Sequence, residues 1–203
     1  MRRLALALTL AAALLPAAAR AGAQQYEPLA DSVRAGLHAA IADHASPDPQ
    51  FPSIHEKVNW LTEMSARLTR RMPDREARLD LLKTVYYEAK RAGLDPQMVL
   101  GLIHVESGFK KYSVSSAGAR GYMQVMPFWI KLIGDKGDNL FAMRTNLRYG
   151  CTILRHYLDI EKGDLYRTLG RYNGSLGKPE YPNMVRGAWE KQWHWGPQVI
   201  GPR

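Results

Sequence analysis

Asp95-Pro-Gln-Met-Val-Leu-Gly-Leu-Ile-His-Val-Glu-Ser-Gly-Phe109, followed after a short polar passage by Ser116-Ala-Gly-Ala-Arg-Gly-Tyr-Met-Gln-Val-Met-Pro127, is the stretch around which the chain is organised. Its first half reads as a helix with defined ends. Asp95 can cap the N-terminus, and Pro96 falls at the first helical position, where a missing N–H is harmless. Met98, Val99, Leu100, Leu102, Ile103 and Val105 cover most of the cylinder, which predicts a helix buried on nearly every side. One acid, Glu106, stands in this run, just before Ser107-Gly108. Burial opposes its charge, and so does the negative end of the helix dipole. Both keep a proton on the carboxyl, as a general acid near neutral pH requires. The alternative for a helix-end Glu is a solvated residue.

The residues that follow favour the first reading. Glycines at 108, 118 and 121 and serines at 113, 115 and 116 predict a tight polar loop returning across the helix end. Gly121-Tyr-Met-Gln-Val-Met-Pro127 then sets one amide between two methionines before a proline. Glu106-Ser107 with Phe109, Ser115 nine positions after the acid, and this Gly-x-Met-Gln-x-Met-Pro block together resemble the soluble-type lytic transglycosylases, whose domain is lysozyme-like. The resemblance covers roughly residues 85 to 193. It implies an all-α fold and cleavage, without any cofactor, of the β-1,4 bond between N-acetylmuramic acid and N-acetylglucosamine in peptidoglycan.

Ordinary glycosidases use two carboxylates, one on each side of the scissile bond. Here no second acid falls in the motif block. The family's mechanism makes sense of one: Glu106 protonates the glycosidic oxygen, the substrate's 2-acetamido group assists at C1, and Glu106 then takes the proton of the muramyl C6 hydroxyl. The product end is 1,6-anhydro-N-acetylmuramic acid. By the same resemblance, Ser115 and Gln124 bind sugars, Met126 gives main-chain contact and cleft shape, Tyr172 orients Glu106 and the acetamido group, and Asn173 fixes the adjacent turn. The chain departs from the family at Lys110-Lys111, often Asn-Pro, at Tyr122, often Leu, and at Gly170-Arg171 before Tyr172-Asn173, often Ala-Ala. Two alternatives stand beside this function: a goose-type lysozyme-like hydrolase, and a non-catalytic peptidoglycan-binding module of an envelope assembly.

Residues 1–23 read as a secretory signal. Arg2 and Arg3 precede an apolar run from Leu4 to Leu15, too short to span a bilayer comfortably, and cleavage is expected after Ala23, with Ala21 the second choice. The expectation is an exported, periplasmic protein without stable membrane insertion after signal cleavage. About 180 mature residues suit one domain with a modest extension. Residues 24–84 are assigned to an N-terminal helical extension, 85–193 to the lysozyme-like domain and 194–203 to a tail. The formal charge of +9 falls to +6 once the signal's three arginines are removed. Such a surface suits the polyanionic wall; no nucleic-acid motif is present, so nucleic acid is not an expected partner, whereas an envelope-machinery protein is. The single cysteine, Cys151, excludes an intrachain disulfide and is expected in the core. No His-Glu-x-x-His or Cys-x-x-Cys pair supports a metal site.

Spacing predicts the remaining helices. Tyr26, Leu29, Val33, Leu37, Ala40 and Ile41 give an amphipathic helix over 26–44, broken by the prolines of 46–52. Ser53 and Glu56 form a capping box for a helix with Ile54, Val58, Leu61, Met64 and Leu68 inward, which stops at Pro73. Asp74 starts the next, with Leu79, Leu82, Val85, Tyr86 and Ala89 inward and Gly93 at its end. A helical turn over 128–133 and a polar loop over 134–138 follow. Asn146 opens a helix to about Glu161, in which Gly150 either permits close packing or is merely tolerated. Asp164 caps a helix ending at Tyr172, and 179–193 closes the domain with Met184, Val185, Ala188 and Trp189 buried. Trp193 and Trp195 read as packing lids rather than sugar platforms. His104, about 200° around the helix from Glu106, reads as a core residue.

Overall fold

The computed structural model describes residues 24–42 and 48–196; the signal expected over 1–23, the last residues of the first predicted helix and the end of the tail lie outside these. Among the described residues there are eight α-helices and a π-helical turn, with isolated bridges in place of strands. They are α1 (Asp31–Ala42), α2 (Ile54–Leu68), α3 (Arg75–Arg91), α4 (Pro96–Ser107), α5 (Phe128–Ile133), α6 (Met143–Ile160), α7 (Leu165–Tyr172) and α8 (Glu180–Ala188), then the π-helical turn Trp189–Trp193. The all-α expectation holds.

Helix α4 is the central element. Asp95 Oδ1 accepts from the N–H groups of Gln97 (2.7 Å) and Met98 (3.0 Å), and Gly108 ends the helix at φ +56°. Met98 to Ile103 are all buried, against α3 on one side and against α8 with the π-helical turn on the other. Close approach is needed there: a Cβ on Gly101 would meet Trp189 Cβ at 3.0 Å. Side-chain caps were legible elsewhere too. Ser53, Asp74 and Asp164 accept from Glu56, Ala77 and Arg167 N–H.

Four expectations about the helices differ from the structure. Helix α1 starts at Asp31 rather than Tyr26, because Pro28 disfavours helical geometry at Glu27 and residues 24–30 stay irregular. The inward face of α2 is Trp60, Met64 and Leu68, at spacings of four, while Ile54 and Val58 are 66% and 54% exposed. Met184 is also exposed, since α8 buries Tyr181, Val185 and Ala188. A boundary after residue 84 falls inside α3, which is continuous. The α3–α6 contact contains buried Glu88, bonded by Arg91 (2.8 Å) and Arg148 (3.0 Å), pairing that offsets the desolvation of its charge.

Helix α6 begins at Met143 and fixes the loop that carries the motif block. Asn146 is fully buried and makes three bonds: Nδ2 to the carbonyls of Arg120 (2.8 Å) and Leu140 (2.9 Å), and Oδ1 from Met123 N–H (2.8 Å). One turn on, a Cβ on Gly150 would lie 2.3 Å from Met123 Sδ, so this glycine permits close packing. Cys151 beside it is buried, as expected. Asn146→Ala, which strands two buried partners and one part-buried one, is expected to cost about 3 kcal/mol or more. Gly150→Ala, a clash partly offset by helix propensity, should cost about 1–3 kcal/mol. Urea unfolding of both variants checks the order.

Candidate active site

Glu106 lies in the last turn of α4, partly open to solvent, with its carboxyl group packed about by protein. Desolvation pushes its pKa up to about 8, the direction expected of a general acid; a hydrogen bond from Tyr181 pulls the other way without cancelling it. The Tyr181 hydroxyl donates to Glu106 Oε1 at 2.5 Å. Burial and the neighbouring Glu106 in turn raise the pKa of Tyr181, so this hydroxyl stays a donor. No second carboxylate among the described residues contributes to the shift of Glu106.

The loop over 108–127 is folded onto this acid by its own backbone. Arg120 bridges both Val114 and Val125. The Ser107 hydroxyl donates to the Tyr122 carbonyl at 2.8 Å, tying the end of α4 to the block. Ser115 Oγ accepts from Ala119 N–H at 3.1 Å, which leaves its O–H able to donate outward. Gln124 is buried in the left-handed region at φ +49°, a conformation that side chains other than glycine adopt only when held. What holds it is the amide: Nε2 donates to the carbonyls of Gly121 (2.9 Å) and Ser113 (3.1 Å). Its carbonyl oxygen is therefore the part left to meet a hydroxyl or an N–H.

Tyr172 is placed differently from the expectation. It is fully buried and donates to the Met123 carbonyl at 2.8 Å, so it braces the motif block, and Tyr181 is the hydroxyl on Glu106. Nothing local in Pro179-Glu-Tyr-Pro182 announces that role; the first turn of α8 must first be laid over the end of α4. Asn173 caps α7, with Nδ2 on Ser175 Oγ at 3.0 Å. Met126 is half-buried, and its backbone N–H points to the Gln24 side chain at 2.9 Å. His104 is half-buried, not core: Nε2 lies 2.7 Å from Arg71 Nη2 and Nδ1 3.3 Å from Trp193 Nε1. Trp193 is buried on Phe109, with ring centroids 5.1 Å apart, a packing lid as expected. A surface cavity of about 720 Å³ near Arg67, Arg71 and Lys191 shares no residue with the set around Glu106.

A helical domain with one protonatable acid at a helix end, under a loop built on Gly-x-Met-Gln-x-Met-Pro, is a lysozyme-like transglycosylase domain. The model of the family "Transglycosylase SLT domain" matches residues 83–189, and the chain belongs to this family. It is 30% identical over 99 residues to the transglycosylase of Enterobacteria phage PRD1, a match covering 49% of this chain and 36% of that protein. It is 35% identical over 95 residues to membrane-bound lytic murein transglycosylase C of Glaesserella parasuis serovar 5, covering 44% and 24% respectively. A stretch of 39 residues is 54% identical to the Actinobacillus pleuropneumoniae serotype 5b protein of the same name, covering 19% and 11%. The matches thus span little more than a third of these relatives' length at most.

Proposed function

We propose that the protein is a peptidoglycan lytic transglycosylase in which Glu106 is the sole acid and base. The observation that supports this best is the state of Glu106: protonated near neutral pH, held by Tyr181, and without a neighbouring carboxylate that contributes to its shift. The glycosidic oxygen takes the Glu106 proton as its bond to muramyl C1 breaks. The acetamido carbonyl oxygen of the same sugar bonds to C1. The Glu106 carboxylate then removes the C6 hydroxyl proton while O6 attacks C1 and displaces the acetamido oxygen. Glu106 ends protonated and no water is consumed. The tethered C6 hydroxyl has an effective concentration no diffusing nucleophile matches.

Ser115, Gln124 and Met126 are proposed to bind the glycan, with Tyr172 and Asn173 supporting the loop and turn beside it. Tyr181 joins the set as the residue that positions the carboxyl. The site of action proposed is the bacterial envelope, in line with the signal-like first 23 residues. No helix among the described residues is long and apolar enough to cross a membrane. Digested sacculi test the reaction type. Muramic acid ends lighter by one water and resistant to borohydride are expected; mainly reducible ends would assign the chain to lysozyme-type hydrolysis.

A further inference from the structure

Residues 24–30 precede α1 and carry no helix, yet Gln24, Tyr26 and Glu27 each contact a distant part of the chain. Gln24 is 4% exposed. Its Nε2 donates to the Gln124 carbonyl at 3.1 Å, and its Oε1 accepts from the Met126 N–H at 2.9 Å. Tyr26 sets its ring edge against Phe128, centroids 5.8 Å apart. Glu27 Oε1 accepts from Arg171 Nη1 at 2.7 Å, and Glu161 holds the same guanidinium at 2.7 Å. Arg171 is the residue that replaces a small one before Tyr172-Asn173, so the departure from the family's pattern has a partner in this segment.

The chemistry of the Gln24 contact is specific. One side-chain amide gives an N–H to a backbone carbonyl and takes a backbone N–H on its oxygen. A 2-acetamido group on a sugar offers the same pair, one N–H and one C=O. The two backbone groups belong to Gln124 and Met126, the residues read above as glycan-binding.

We propose that residues 24–30 form a strap that occupies the glycan site in the resting protein, with the Gln24 amide standing where an N-acetyl group binds, and that glycan displaces it. This rests on the reading of that site as glycan-binding. The strap is tethered through α1, whose Ala40 carbonyl accepts from Arg91 Nη1 at 2.8 Å, so it competes at high effective concentration. It is also releasable: Tyr26 is 61% exposed, and the Glu27 side chain is 45% exposed, where an ion pair is weak. A strap seated nine-tenths of the time would weaken the apparent affinity about tenfold.

Calorimetric titration with chitotetraose, an N-acetylglucosamine tetramer, tests this on the full chain. The Gln24→Ala/Glu27→Ala protein should bind about tenfold more tightly than the unsubstituted protein. Gln24→Glu, which keeps the size but sets a carboxylate against the Gln124 carbonyl, should shift Kd the same way. A spin label on Tyr26→Cys reports the strap directly, because Cys151 is buried and takes no label. Its motion should increase as chitotetraose saturates the site. Equal Kd values with an immobile label on the glycan-bound protein would overturn the strap and leave the site standing. Failure of chitotetraose to bind any of these proteins would overturn both.

Discussion

Glu106→Gln is expected to reduce glycan cleavage by at least about a thousandfold while leaving the fold intact and more stable. The amide keeps the shape and can still accept the Tyr181 hydrogen bond, but it can neither give nor retrieve a proton. The stability gain follows from linkage. Glu106 has a pKa of about 8 in the folded protein against 4.5 when exposed, so between these values the folded state holds a proton that the unfolded state has released. Native stability from this group is full below pH 4.5 and declines as pH rises to about 8. Replacing it with an uncharged amide removes the decline, worth about 1–3 kcal/mol at pH 8 after allowance for solvent. Thermal melts of both proteins at pH 5 and pH 8 check it: the difference should be larger at pH 8. Near-normal cleavage by a folded Glu106→Gln protein would remove Glu106 from the reaction.

Tyr181→Phe should lower kcat by about tenfold to a hundredfold, with a smaller change in KM, since orientation matters most when the proton moves. It should also move the pH profile. Cleavage in the unsubstituted protein needs protonated Glu106 and should fall as pH passes through about 8. The Tyr181 bond favours the ionised form, so its loss raises the pKa and carries the alkaline limb to higher pH. A ring that only packed would leave that limb in place. Rate profiles from pH 5 to 10 for the two proteins separate these outcomes.

The parts readable in the sequence were those set by neighbours in the chain. Asp95-Pro96, Asp74, Asp164 and Ser53 announce helix starts because a side-chain oxygen and the N–H groups it serves lie within a few residues. Glu106 was legible because it is the one acid in the apolar run of α4, just before the glycine that ends it. What escaped depends on which elements meet. Ile54 and Val58 fit a helical stripe, yet α2 turns Trp60, Met64 and Leu68 inward against the core. Tyr172 and Tyr181 are both tyrosines near helix ends, and only the crossing of α8 over α4 decides which hydroxyl reaches Glu106. Gln24 lies a hundred residues from the carbonyl it meets, beyond any local pattern.

The central claim is that the substrate's own hydroxyl, not water, closes the reaction at Glu106. Cleaving purified sacculi in oxygen-18 water tests it most directly, since only a hydrolase writes solvent oxygen into the new muramic acid end. New ends are expected without the label, each as 1,6-anhydro-N-acetylmuramic acid. Stoichiometric labelling of reducible ends would contradict it.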